Sequence, residues 1–325
     1  MKKIPITEIE EFQFGHAQDM KAATGCTVII NAGGAIGGVD VRGGSPGTRE
    51  TDLLNPQNLV EEVHAVFLSG GSAYGLDVGS GVMKFLEEQD IGFDVQVAKV
   101  PIVTGAILFD LYPGDPTVRP DLKMGYEAAQ NAFNKDVLKE GSIGAGTGAT
   151  VGKCLGPNFA MKGGLGTYAV QIGDLKIGAI VAVNCFGDVV DPVTGDVIAG
   201  VFDSSNRTFL HTEDILLQQT QQSDKTNRFK GNTTIGTIVT NAKLTKPQAN
   251  KIASIAHDGF ARTMRPSHTL VDGDTIFTLS SNKVDAELNV VGMLAVNVVE
   301  QAVLNAVKEA KSVQSILSYQ DIREG

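Results

Sequence analysis

FKGNTTIGTIVTNAKLT, residues 229–245, decides how this chain is read. Ile235 to Val239 is an apolar run of the length of a buried strand. It begins with Asn232-Thr233-Thr234. Ahead of it lies FDSSNRTFLHTEDILLQQTQQSDKTNRFKG, residues 202–231, polar and loop-like in composition. A structureless connection of that length inside a compact domain is unusual and is often functional. A threonine hydroxyl becomes a good nucleophile only beside a base. The residue's own α-amine can be that base if Thr233 is a chain terminus. Such an amine titrates at about 7.7–8.0, so part of it is unprotonated near neutral pH. A fold makes the terminus itself when the hydroxyl attacks the preceding carbonyl, the acyl group moves from nitrogen to oxygen, and water releases it. The local pattern leaves this reading and a plain loop-to-strand junction both open.

Outward from this junction, strands and helices alternate. TVIIN (27–31) reads as a strand running into a glycine-rich loop, with seven glycines between 33 and 47. Residues 63–71 read as a buried strand, 74–89 as a helix, 100–111 as an apolar run, and 119–135 as a helix with Asp121 as N-cap. GSIGAGTGATVGK (141–153) is a second glycine loop. Residues 166–192 read as two strands joined by a Gly-Asp turn. After the strand at 233–241 come a helix from Thr245 to Met264, a strand at 274–281 and a long apolar helix at 286–313. The strands are continuously apolar, which implies cover on both faces.

The chain has 325 residues with ordinary hydrophobic and charged fractions, 42% and 20%. Glycine stands out, at 38 residues. The formal charge of −10 and the absence of basic runs argue against nucleic acid or an anionic membrane as partner. No run approaches the ~18 apolar residues of a membrane helix. Cys26, Cys154 and Cys185 fit neither a disulfide framework nor a zinc site. The lysine-started N-terminus lacks an apolar segment, so a cytoplasmic protein is expected.

Several motifs nearly form. Gly152-Lys153 is followed by Cys154 where a phosphate loop needs Ser or Thr, and Thr147 stands where its first glycine belongs. GGSAYG (70–75) has Tyr74 where a nucleophile elbow needs glycine. The five histidines show no metal spacing. No cofactor and no metal are expected.

NAGGAIGGVDVRGGSPGTRETDLL, HAVFLSGGSAYGLD, VPIVTGAILFDL, SIGAGTGATVGK, KGGLGT and VNCFGDVVDP, in this order ahead of GNTTIGTIVTNA, closely resemble the DmpA family. That family includes L-aminopeptidase/D-esterases, β-peptidyl aminopeptidases and a pantetheine-processing hydrolase. The resemblance covers residues 8 to 310. It implies a four-layer αββα sandwich, two stacked mixed sheets flanked by helices. It also implies one domain that cleaves itself between Asn232 and Thr233 into fragments 1–232 and 233–325, which stay together. Thr233 matches the family's nucleophile. Asn184 matches an asparagine whose amide stabilises the oxyanion, worth ~3 kcal/mol; the other reading is a strand-end amide satisfying backbone. Asp274 keeps the acidic position of the family's Ser-Gly-acid segment. Asp272 replaces its serine and puts β-peptide specificity in doubt. Asp272-Gly273-Asp274 taken alone is a surface turn before a strand.

Substrate-pocket candidates are the glycine loops, with Ser69, Gly70, Gly71 and Tyr74 from one and Gly146 and Thr147 from the other. Packing turns are the equal alternative. The leading expectation is a self-processing aminopeptidase or amidohydrolase acting through Thr233 on short peptides, aminoacyl amides or esters, as a homo-oligomer of cleaved protomers. The alternatives are an acyltransferase, a specialised amidohydrolase, and an uncleaved small-molecule-binding protein.

Overall fold

A computed structural model describes residues 1–134, 138–221 and 231–324. Its centre is a ten-stranded hydrogen-bonded sheet. In chain order the strands are β1 (Lys2–Ile4), β2 (Gln13–Asp19), β3 (Thr24–Val41), β4 (Thr48–Arg49), β5 (Glu62–Ser69), β6 (Val103–Ile107), β7 (Gly164–Ile172), β8 (Leu175–Val183), β9 (Ile235–Ala242) and β10 (Thr275–Val284). The order across the sheet is β1-β7-β8-β9-β10-β3-β5-β6-β4, with β2 on β3. The β9–β10 and β5–β6 pairs are parallel and the others antiparallel, so the sheet is mixed.

This sheet folds over on itself. The first half of β3 pairs with β2 and β5, and its second half pairs with β10, with a register shift between Ile30 and Ala35. Side chains alternate across a strand, so burial patterns report the layers. Ile29, Val66 and Leu68 from one half share a core with Ile180, Ile235, Val239 and Phe277 from the other. Their strand neighbours point outward. Val28, Ile30, Ala65 and Phe67 pack with helices α1 (Val78–Glu88) and α2 (Leu122–Phe133). Ile177, Ala179, Val181 and Ile238 pack with α4 (Lys246–Thr263) and α5 (Leu288–Lys308). The result is helices, half-sheet, half-sheet, helices. The two stacked sheets are joined by hydrogen bonds through β3.

Local chemistry starts the helices where expected. Asp121 accepts from Met124 N at 2.9 Å as N-cap of α2. Thr245 N donates to Gln248 Oε1 at 2.8 Å ahead of α4. In α5 the buried positions 291, 294, 295, 298, 299, 302, 303, 306 and 307 form one helical face. Each fully buried valine or leucine there contributes about 1.5–3 kcal/mol. By length and hydropathy this helix meets the requirement for a membrane span, against the sequence expectation. Its window is 72% buried inside the protein, as a core helix would be.

Two local expectations change. The first glycine stretch is largely strand, because β3 continues to Val41. Gly38 is there for close approach rather than for a turn: a Cβ would lie 2.3 Å from the Ala249 carbonyl carbon of α4. Gly166 does the same for α5, where a Cβ would lie 2.1 Å from Ala302 O. The polar stretch at 202–231 is not structureless. It holds a short hairpin, Phe202–Asp203 with Thr208–Phe209, and α3 (Thr212–Gln221), with Glu213 and Asp214 in its first turn. The part from 222 to 230 lies outside the described residues.

Candidate active site

Three strand ends converge by register alone. Parallel pairing sets Ile235 opposite Thr275, and antiparallel pairing sets Ile235 opposite Ala182. Residues just before β9 therefore meet the residues just before β10 and just after β8. Thr233 N donates to Asn184 O at 3.0 Å, and Thr275 N donates to Thr234 O at 3.1 Å. Asn232 and Thr233 are 2% and 3% exposed, so this junction is interior rather than a surface loop. The Thr233 hydroxyl donates to the Asn232 carbonyl oxygen. Both polar atoms of the Asn232 side chain are buried without a hydrogen-bond partner among the described residues.

Asn184 is fully buried. Its Oδ1 accepts from Thr150 N and from Lys153 Nζ, both at 2.9 Å, and its Nδ2 donates to Phe109 O at 3.1 Å. One of its two amide N–H groups is thus held on backbone. It acts as an anchor, with its carbonyl on Thr233 and its side chain on Lys153.

Lys153 is the residue that sequence reading passes over. Its Nζ donates to Asn184 O at 2.9 Å and to Gly231 O at 3.2 Å, two residues before Thr233. Burial pushes its pKa well below the ordinary lysine value. A signal is present in the sequence. Between 141 and 163, Lys153 and Lys162 are the only charged residues in a glycine-rich apolar stretch.

Asp272 and Asp274 are each 1% exposed, so Asp272-Gly273-Asp274 is not a surface turn. Asp274 Oδ1 accepts from Thr234 N at 2.8 Å. Its Oδ2 accepts from His268 N at 3.0 Å and Nδ1 at 2.8 Å. Asp272 Oδ1 accepts from Phe186 N at 3.1 Å, and its Oδ2 accepts from Thr269 N at 3.2 Å and from the Thr269 hydroxyl. Burial, and then the neighbouring Asp274 charge, push the Asp272 carboxyl well above the carboxylate range. Between them, a Cβ on Gly273 would lie 2.7 Å from Thr233 Oγ1, so glycine leaves room at the hydroxyl.

The other pocket candidates have contacts of their own. Gly70 N donates to Gly25 O at 2.9 Å, and Gly71 N donates to Asp110 Oδ1 at 2.7 Å. Ser69 Oγ donates to Gly70 O. Asp110, buried and pushed up to about 6 by desolvation, also accepts from Thr24 Oγ1. Gly146 O accepts from Lys162 Nζ, and Thr147 Oγ1 donates to Gly144 O, both at 2.8 Å. Tyr74 is 60% exposed, with the Arg119 guanidinium 3.8 Å from its ring centre. None of these six lines the cavity of about 320 Å³ that reaches Lys153 and Gly231. Phe109, Tyr112, Pro113, Pro157, Ala160 and Ile316 supply its apolar wall. Among the described residues no His/Cys/Asp/Glu group could hold a metal ion.

The arrangement places a hydroxyl, a carbonyl, a cationic side chain and two carboxylates around one peptide bond. The model of Peptidase family S58 matches residues 5–319. An uncharacterized aminopeptidase of Mycobacterium leprae is 39% identical over 97% of this chain and 92% of its own length. A 6-aminohexanoate-oligomer endohydrolase of Kocuria sp. is 29% identical over 90% of this chain and 83% of its own. Among solved structures, the L-aminopeptidase D-Ala-esterase/amidase of Ochrobactrum anthropi, described as a variant of the Ntn hydrolase fold, superposes with a TM-score of 0.70 at 18% identity. That match covers 98% of this chain and 92% of the other. A Burkholderia sp. beta-aminopeptidase gives 0.68 at 17% identity, covering 100% and 96%. The chain belongs to peptidase family S58, the family of the DmpA-type aminopeptidases.

Proposed function

We propose that the chain is a self-processing amidohydrolase whose nucleophile is the hydroxyl of Thr233. The observation that carries this reading is the buried Thr233 hydroxyl turned onto the Asn232 carbonyl, inside a chain of this family. In the first cut Thr233 Oγ bonds to the Asn232 carbonyl carbon and the peptide C–N bond breaks. The hydroxyl proton leaves through a base, and the departing nitrogen gains one. Water then hydrolyses the ester, leaving an Asn232 carboxylate and a free Thr233 amine.

The amine does not exist during that first cut, so another base is needed. Lys153 fits that role, because it lies beside the scissile segment and burial makes its ammonium give up a proton readily. In later turnovers the Thr233 amine serves as base. Asn184 O, already 3.0 Å from that nitrogen, orients it. Asp274 holds the chain through Thr234 N, and Asp272 holds the turn through Phe186 N. Asn184 Nδ2 becomes an oxyanion donor if it turns from Phe109 O.

The substrates are short peptides, aminoacyl amides or esters. The apolar cavity beside Lys153 also suits an extended aliphatic acyl chain, the kind of substrate named for the endohydrolase relatives. Denatured intact mass of fresh wild-type protein and of Thr233→Ala tests the reading. Two fragments meeting at Asn232/Thr233 in the wild type and one chain in the variant are expected. A wild-type chain that stays whole for days while still turning over amides would sink it.

A further inference from the structure

We propose that His268 is a positioning residue for the Thr233 reaction, fixing Asp274 and, through it, the backbone that carries the nucleophile. This rests on the reading of Thr233 given above.

His268 makes two bonds to one oxygen: its backbone N–H and its ring Nδ1 both reach Asp274 Oδ2, at 3.0 and 2.8 Å. The other carboxylate oxygen holds Thr234 N at 2.8 Å. Asp274 therefore links His268, six residues before it, to the residue next to the nucleophile. The double contact is made with His268 at φ +55°, in the left-handed region. A non-glycine residue there costs energy, and a site that keeps one is over-determined by its surroundings.

The ring is held from behind. It lies edge-on to His257 of α4, with centroids 4.8 Å apart, and 6.2 Å from the Phe260 ring. His257 is fixed in turn by Nε2 on Asp40 O at 3.0 Å. Because Nδ1 of His268 faces a carboxylate and Nε2 of His257 faces a carbonyl, those are the protonated nitrogens. His268 Nε2 and His257 Nδ1 are buried without a partner among the described residues. The surroundings thus favour one ring tautomer, the one that donates to Asp274. The charged and titratable groups facing this pair are Asp274 on the turn, Arg42 after β3, and the two histidines themselves.

The test measures kcat and KM for an aminoacyl amide between pH 5 and 9, and the half-time of self-cleavage, in His268→Ala and His268→Asn. Alanine removes the ring donor. Asparagine tolerates positive φ and offers an amide donor in the same direction. The expected result is a kcat about tenfold or more lower in His268→Ala with KM within about twofold. Most of kcat should return in His268→Asn. Wild-type kcat in His268→Ala, or equal loss in both variants, overturns the positioning role. If His268→Ala does not fold, His268→Phe takes its place, keeping the ring against His257 and dropping the donor. Full activity in Thr233→Ala sinks the nucleophile reading separately.

Discussion

Lys153 and Lys162 stand nine residues apart in sequence, and both are buried with ammonium groups on backbone carbonyls. Lys162 Nζ donates to Gly146 O and Ala149 O at 2.8 Å and to Gly163 O at 3.4 Å. It ties the second glycine loop to the start of β7. Lys153 Nζ ties the end of β8 to the residues before Thr233. Desolvation lowers the pKa of both, that of Lys162 to about 7. The shift therefore follows from burial and does not distinguish a site from a scaffold. What distinguishes them is where those carbonyls lie: in and beside the second glycine loop for Lys162, at Asn184 and at Gly231, two residues before Thr233, for Lys153.

The strongest attack on that contrast is Thr233→Ala. Self-cleavage and amide hydrolysis should both disappear on gels and in product assays, and a surviving rate would remove the reason to single out Lys153. Next in size is Lys153→Met, expected to slow self-cleavage about a hundredfold or more, read as the half-time of the intact band. Lys153→Arg should not rescue it, because a guanidinium keeps its proton. Wild-type cleavage in Lys153→Met would make both lysines scaffold.

Lys162→Met should act on stability instead. It leaves buried carbonyls unpaired and should lower unfolding free energy by about 2–5 kcal/mol in denaturant titration. Turnover per folded molecule should stay within about threefold. The smallest effect is in pH. Between about 7 and the ordinary lysine value of 10.5 the unfolded chain binds a proton at Lys162 that the folded chain does not. Stability therefore rises with pH across that window, while below it the full burial penalty persists. Thermal midpoints should climb from pH 7 to 9 in the wild type and climb less in Lys162→Met.

The sequence is readable where chemistry is local. Asp121 as a cap, the Gly-Asp turn and the apolar period of α5 follow from short-range rules. The placing of Thr233, Asn184, Asp272 and Asp274 follows only from the resemblance, since their meeting depends on the register of three strands far apart in sequence. Lys153 escapes notice because Gly152-Lys153 invites only a phosphate motif, and that motif fails. Its partners, Asn184 and Gly231, lie 31 and 78 residues away. Gly38 reads as loop because glycine signals a turn and a helix-on-strand contact alike. The latter needs α4, more than 200 residues later, to be seen.

β9 is the first strand after the Asn232–Thr233 bond. It lies between β8 from before that bond and β10 from after it, while β10 pairs onward to β3. A chain cut there keeps two hydrogen-bonded seams between its pieces and has no free edge along which to part. Folding, however, changes its molecularity. The uncut Thr233→Ala chain folds each protomer as one body, so dilution should act on it only through any assembly of protomers. The cut protein has to find its other piece, so its denaturation midpoint should fall as the solution is diluted.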